Sequence, residues 1–147
     1  MAHRYGLATR GATGNVSVAQ FDLTPQNNVR VKVYEFALYT TTNTVGQYGL
    51  AVLTSGIGTG SAGQAPAQLD TADPSPKMRY HTTWTVQPTA PSNWLLLFNF
   101  PAVSGGAQGA AWRWAENAPL IIPMNGSLLL WNLATSSVCD IYMEVEE

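Results

Sequence analysis

No stretch of this chain places apolar residues at helical spacing behind a capping residue; short runs of two-residue hydrophobic period alternate instead with clusters of Gly, Pro, Asn and Ser. That pattern excludes most helical folds. Met78, Tyr80, Thr82, Trp84 and Val86 share one phase, with Arg79, His81, Thr83 and Thr85 on the other. Trp94 to Phe100 is almost wholly apolar and bracketed by Pro91 and Pro101, which reads as a central strand. Ser127 to Leu133 and Val138 to Val145 close the chain, with Leu129, Trp131 and Leu133 in phase, and Cys139, Ile141, Met143 and Val145 in phase. Asp140, Tyr142 and Glu144 fall opposite. Further strands are predicted over Val16 to Phe21, Tyr48 to Thr54, Ala110 to Ala115 and Leu120 to Ile122. Asn125-Gly126 signals a hairpin turn, and Gly105-Gly106 another turn.

The strand from Val29 to Thr42 carries a phase error. Val29, Val31 and Val33 alternate with Arg30 and Lys32, then Phe36 and Leu38 take the apolar phase. A two-residue period changes face only through an extra residue or a bend, so a bulge is expected near Tyr34 to Glu35, the alternative being one strand packed on both sides. Eight or nine strands at short spacing predict an all-β antiparallel β-sandwich, best a jelly roll of about eight strands. Residues 1–15 show no period and read as a flexible N-terminal arm; residues 16–147 read as a single jelly-roll domain. Residues 55–77, rich in Gly and Pro, read as a long surface connection.

At 147 residues the chain has the size of one domain and buries a core without metal or disulfide. Only 11% of residues are charged and the formal net charge is -2, so a nucleic-acid partner is not expected. A surface so poor in charge sheds water readily, which favours contact with copies of itself or with a larger assembly. No apolar run reaches 18 residues, so no membrane helix is expected, and the first residues carry no signal peptide. Synthesis in the cytoplasm is the expectation.

Chemistry is sparse. His3 and His81 are the only histidines, and His81 reads as a surface or interface polar residue. No metal-ligand spacing joins them, so no metal and no cofactor are expected. Cys139 reads as a buried, inert thiol. Gly56-Ile57-Gly58-Thr59-Gly60 lacks the lysine and helix of a phosphate loop. Nothing forces Asp70 with Asp73, or Glu116 with Asp140, into a glycosidase pair. No catalytic residue is predicted, and the chain is not expected to be an enzyme. Of the five tryptophans, Trp94 and Trp131 read as core, while Trp112 and Trp114, flanking Arg113, read as an interface. A sugar platform built from Trp112 or Trp114 with Asn117 is the competing reading. Arg4 and Arg10 stand at one end of the chain, and after Arg113 only acidic charges follow, which suggests a basic leader clamping an acidic patch on a neighbour. The candidate interface residues are therefore Arg4, Arg10, Trp112, Arg113 and Trp114.

Three segments carry a resemblance: Val29 to Glu35; Leu69-Asp70-Thr71-Ala72-Asp73-Pro74; and Trp112-Arg113-Trp114 ahead of Pro119 to Pro123 and Asn125-Gly126-Ser127. Together they resemble small jelly-roll decoration or cement proteins of tailed bacteriophages, over about residues 15–147. The resemblance implies a non-enzymatic protein on the outer surface of the virion capsid, bound to the major capsid protein and bridging capsomers as a homodimer or homotrimer. A carbohydrate- or receptor-binding sandwich of a phage tail or fibre is the alternative it allows.

Overall fold

The computed structural model describes residues 2–12, 17–40, 44–102, 108–134 and 138–147. Among them are thirteen strands and no helix. In chain order they are β1 (Arg4–Arg10), β2 (Ala19–Pro25), β3 (Val31–Thr40), β4 (Gly46–Leu53), β5 (Thr59–Gly60), β6 (Ala67–Gln68), β7 (Met78–His81), β8 (Trp84–Val86), β9 (Leu96–Phe100), β10 (Gln108–Arg113), β11 (Leu120–Ile122), β12 (Ser127–Asn132) and β13 (Cys139–Glu146). One antiparallel sheet runs β10-β3-β13-β1-β6, with β11 also on β3; the other runs β7-β2-β12-β4-β9; β5 and β8 form a separate ribbon. The molecule is thus an all-β protein of two main antiparallel sheets. It exceeds the expected strand number because short strands join the principal ones.

The two sheets bury one apolar layer between them. It includes Tyr5 and Leu7 from β1, Phe21 and Leu23 from β2, Tyr48 and Leu50 from β4, Leu128 and Leu130 from β12, and Ile141, Met143 and Val145 from β13. In β3 the inward residues are Val31, Val33, Phe36 and Leu38, so the phase does slip. Glu35 faces Glu144 while Val33 faces Val145, which leaves Tyr34 as the extra residue of a bulge, as the alternation required. At the same point the outer neighbour of β3 changes from β10 to β11, and the Trp114 amide donates to the Tyr34 carbonyl at 2.9 Å.

Residues 4–10 are not a loose leader. All of β1 pairs with β13, from Arg4–Glu146 to Arg10–Asp140, and β1 lies inside its sheet. The alternation was hidden because its outward positions include Gly6 and Ala8, which look like linker residues. Gly6 is small because Leu69 covers it: an added Cβ would stand 3.0 Å from Leu69 Cδ2. Residues 13–15 of the expected arm, Val16, Thr41 and Thr42, and the Gly105-Gly106 turn lie outside the described residues.

The 55–77 connection is tied down along its length. β5 pairs with β8, β6 pairs with β1, and Gln64 exchanges backbone hydrogen bonds with Tyr80 at 2.8 and 2.9 Å. Gly58 takes φ +73°, and a Cβ there would sit 2.5 Å from the Val86 carbonyl oxygen, so its glycines serve backbone geometry. The Asn125-Gly126 turn closes with Gly126 N donating to Pro123 O at 2.9 Å. It carries the chain from β11 in one sheet to β12 in the other, so it is a corner and not a hairpin.

A second apolar cluster lies on the far face of the β7-to-β9 sheet. In β12, Leu128 and Leu130 enter the main core, so Leu129 and Trp131 point the opposite way. With Ala19 they are buried beneath Leu53, Trp84, Trp94 and Leu133. Trp94 and Trp131 are therefore sheltered outside the main core. Trp94 precedes β9, and its ring fills the space a side chain at position 49 would need.

Candidate docking face

The register of β10, β3, β13 and β1 fixes four rows on the outward face of their sheet. The first is Gly109, Tyr39, Asp140 and Arg10; the second is Ala111, Ala37, Tyr142 and Ala8. The third is Arg113, Glu35, Glu144 and Gly6; the fourth, with β11, is Ile121, Lys32, Glu146 and Arg4. One half of the face is thus small and aromatic, and the other half is ionic.

The ionic half is a network. Arg4 meets Glu116 at 2.5 Å, Glu144 at 2.9 Å and Glu146 at 3.5 Å, with its guanidinium 4.5 Å from the centre of the Tyr34 ring. Arg113 meets Glu35 at 2.8 Å and shares Glu144 at 3.8 Å. Glu146 is the most enclosed member, accepting from Lys32 Nζ at 2.5 Å and Tyr34 Oη at 3.2 Å. Burial alone would raise its pKa; hydrogen bonds from Lys32 and Tyr34, then the charges of Lys32 and Arg4, outweigh it and hold the carboxyl below its ordinary value. Burial first, then the bond to Glu146, pushes the Tyr34 phenol up. The Arg4 guanidinium is held further above its ordinary value, chiefly by the bond to Glu116.

The aromatic half is open. Tyr39 is 47% exposed and Tyr142 39% exposed. With Ala8, Arg10 and Asp140 they line a shallow depression of about 620 Å³. Arg10 closes on Asp140 at 2.8 Å, and that bond raises the guanidinium pKa. Tyr and Arg around a small-residue floor are the side chains that anchor protein contacts, because they bury area at little entropic loss.

Arg4, Arg10 and Arg113 therefore share one face, and Arg4 and Arg113 share Glu144. Trp112 does not join them. It sits opposite Phe36 on the inward phase, at the sheet edge, 49% exposed. Trp114 is half-buried against the main core. Arg4 and Arg10 each meet carboxylates within their own chain. Tyr39 and Tyr142 were the missed members. Their signal was in the sequence: Tyr142 stands between Asp140 and Glu144 on the phase opposite the core run.

A second polar cluster was also missed. His81 is not a surface residue: its side chain is 13% exposed, and Nδ1 lies 2.6 Å from Asp22 Oδ1. Trp84 Nε1 donates to Asp22 Oδ2 at 2.8 Å. Burial pushes the Asp22 carboxyl up, against the hydrogen bonds from Trp84 and His81. Gly60 and Gly63 lie over the imidazole, where any Cβ would strike the ring. His3 likewise has a carboxylate, Asp73 at 2.7 Å. Glu116 and Asp140 bind opposite ends of β1, six residues and roughly 20 Å apart. Asp70 accepts from the Ala72 amide at 2.9 Å in a local turn. Cys139 is buried, and burial pushes its thiol up to about 12. Among the described residues no group of three or more His, Cys, Asp or Glu side chains gathers to hold a metal ion.

The fold and this face together define an all-β protein of two main antiparallel sheets, consistent with a sandwich, with two exposed tyrosines on one face. No protein-family model matches the chain, and no curated protein matches it. Among solved structures, a mutant VP2 protein of infectious bursal disease virus, in derived T=1 particles, is similar at 11% identity and a TM-score of 0.21, over 99% of this chain and 39% of that one. The chain thus spans well under half of that protein, and a likeness at this score carries no argument.

Proposed function

We propose that this chain is a non-enzymatic structural protein of a phage virion, seated on the outside of the capsid, where it binds the major capsid protein and stabilises the shell by bridging capsomers. Its eight principal strands, β1-β13-β3-β10 against β2-β12-β4-β9, read as a jelly roll, an architecture common among capsid domains. The described residues read as one such unit. The sequence resemblance to decoration proteins points the same way.

The observation that carries the proposal is the face holding Tyr39 and Tyr142. Its ionic half is ion-paired within the chain and its aromatic half is left open. That division suits a surface that keeps its shape and offers contact area. Arg10 and Arg113 stand on the same face. Many copies, each held weakly, give a firm coat.

The test is addition of the purified chain to expanded phage shells that lack a decoration protein. Binding, and a rise in the temperature or osmotic stress at which the shells rupture, are expected. Tyr39→Ala with Tyr142→Ala is expected to weaken binding at least tenfold. Shells that neither bind the chain nor gain stability would refute the proposal. Equal binding by the double variant would remove this face from it. Specific capture by a glycan surface, lost with the same two tyrosines, would favour a receptor-binding module instead.

A further inference from the structure

The long side of the sandwich formed by β9 and β10 has a different chemistry. No Asp, Glu, Lys or Arg occurs between Glu35 and Asp70, nor between Arg79 and Arg113. β4 and β9 are therefore uncharged, and β10 carries only Arg113, which is ion-paired with Glu35. β9 ends one sheet and β10 ends the other, and among the described residues no strand pairs with either on its far side. Both ends lie on the same side of the molecule. Phe36, the register partner of Trp112 in β10, meets Phe98 of β9 with ring centroids 5.7 Å apart. Gln108 Nε2 also donates to the Pro101 carbonyl at 2.8 Å. Leu95, Leu97 and Trp112 stand here at 50%, 59% and 49% exposure.

Edge strands in stable monomers are blunted by lysine, an internal proline, an inward charge or a bulge. β9, with the sequence Leu96-Leu97-Phe98-Asn99-Phe100, has no charge and no proline, and its register with β4 is unbroken. We infer that β9 pairs antiparallel with β9 of a second copy, joining two five-stranded sheets across a two-fold axis. The chemistry of the edge favours its own copy as occupant. A two-fold axis sets side chains beside themselves or close neighbours, so an ionised residue would meet its own sign. This edge has none to repel. Leu97 near the axis meets Leu97 or Asn99 of the copy. Pro101, which has no amide donor, follows directly and stops the ladder from lengthening. An isologous contact of this kind closes at two chains and does not polymerise. The proposal takes its biological purpose from the shell-binding reading, but the pairing itself stands on the edge alone.

Sedimentation of the full chain over concentrations from about 0.1 to about 100 μM tests it, a range that brackets micromolar dissociation. The wild type is expected to pass from monomer to dimer. Leu97→Lys places two ammonium groups near the axis and is expected to weaken the dimer at least about 100-fold. Val86→Lys alters a residue of equal exposure on β8 and is expected to leave the dimer intact. Amide exchange over residues 96–100 is expected to slow with concentration, while β7 does not change. A wild type that stays monomeric throughout overturns the inference, as does a trimer, a Leu97→Lys dimer of unchanged strength, or exchange in β9 that ignores concentration. Leu97→Lys that loses its circular dichroism is replaced by Leu97→Glu, read by the same criteria. Shell binding is measured separately on both variants. A dimer that binds no shell refutes the proposed function alone, and a monomer that binds shells refutes the pairing alone.

Discussion

Glu146→Gln removes the enclosed anion of the ionic network while keeping its shape. The side chain is 8% exposed and faces Lys32 Nζ at 2.5 Å, Tyr34 Oη at 3.2 Å and Arg4 Nε at 3.5 Å. Hydrogen bonds to charged groups contribute roughly 1.5–3 kcal/mol each. Two offsets reduce the loss. The amide oxygen keeps one of the bonds, and the Lys32 and Arg4 side chains, 45% and 39% exposed, can turn to water. A net loss of about 1–2 kcal/mol at pH 7 follows, or a fall in melting temperature of roughly 2–8 °C for a chain of this length. The pH dependence carries the sharper test. The folded carboxyl lies below its ordinary value of 4.5, so the folded state binds the proton less readily than the unfolded one. Its stabilisation is complete above pH 4.5 and fades as pH falls through the folded value. The gap between wild type and Glu146→Gln is therefore expected to be widest near neutrality and to close in acid. Thermal melts of both proteins at pH 7, 5, 4 and 3 measure this. Equal melting temperatures at pH 7, or a gap as wide at pH 3 as at pH 7, would show that the network does not hold Glu146 as its geometry implies.

The Asp22 cluster also makes a prediction about acid, from a carboxyl whose pKa is raised and not lowered. Trp84→Phe deprives the Asp22 carboxylate of a donor and is expected to lose about 1–3 kcal/mol in urea titrations at pH 7. Because the Asp22 pKa is raised, that loss is expected to shrink as the carboxyl protonates on acidification. In the main core, Leu130→Ala empties a fully buried position and is expected to lose about 2–5 kcal/mol, whereas Leu95→Ala, half exposed, is expected to stay within about 0.5 kcal/mol; chemical denaturation separates them.

The strands were legible where a long alternation had large residues on one face. Met143, Ile141 and Val145 announce β13 unaided, and the slip from Val33 to Phe36 located a bulge from sequence alone. β1 was illegible for a physical reason. Its outward Gly6 is small because Leu69 covers it, and a strand built largely of Tyr, Gly, Leu, Ala and Thr looks like a linker. The docking face could be read only in part. That Arg4 and Arg113 share a carboxylate depends on strand order, which alternation does not encode: β1 and β10 lie on opposite sides of the β3–β13 pair. The Asp22–His81 contact fails for the same reason. Fifty-nine residues separate the two, and only the β2–β7 register sets them side by side.

The distribution of charge ties these observations together. The ionised residues of the strands of the β10-to-β6 sheet form pairs that cross strands: Arg4 with Glu146, Arg10 with Asp140, Lys32 with Glu146 and Arg113 with Glu35. Cross-strand pairs of opposite sign fix register and repel a shifted alignment, so they act chiefly on specificity within the fold. Their fields largely cancel, and they steer few outside partners. Under the proposed function and pairing, association would then fall to the tyrosine half of one face and the uncharged β9 edge. Contacts of that kind depend on burial of apolar and aromatic area and respond weakly to ionic strength. A protein that must stay on a particle across changing salt benefits from this arrangement. Raising salt is accordingly expected to leave both the shell contact and the β9 pairing in place, while a clamp of free arginines on a neighbour's carboxylates would let go.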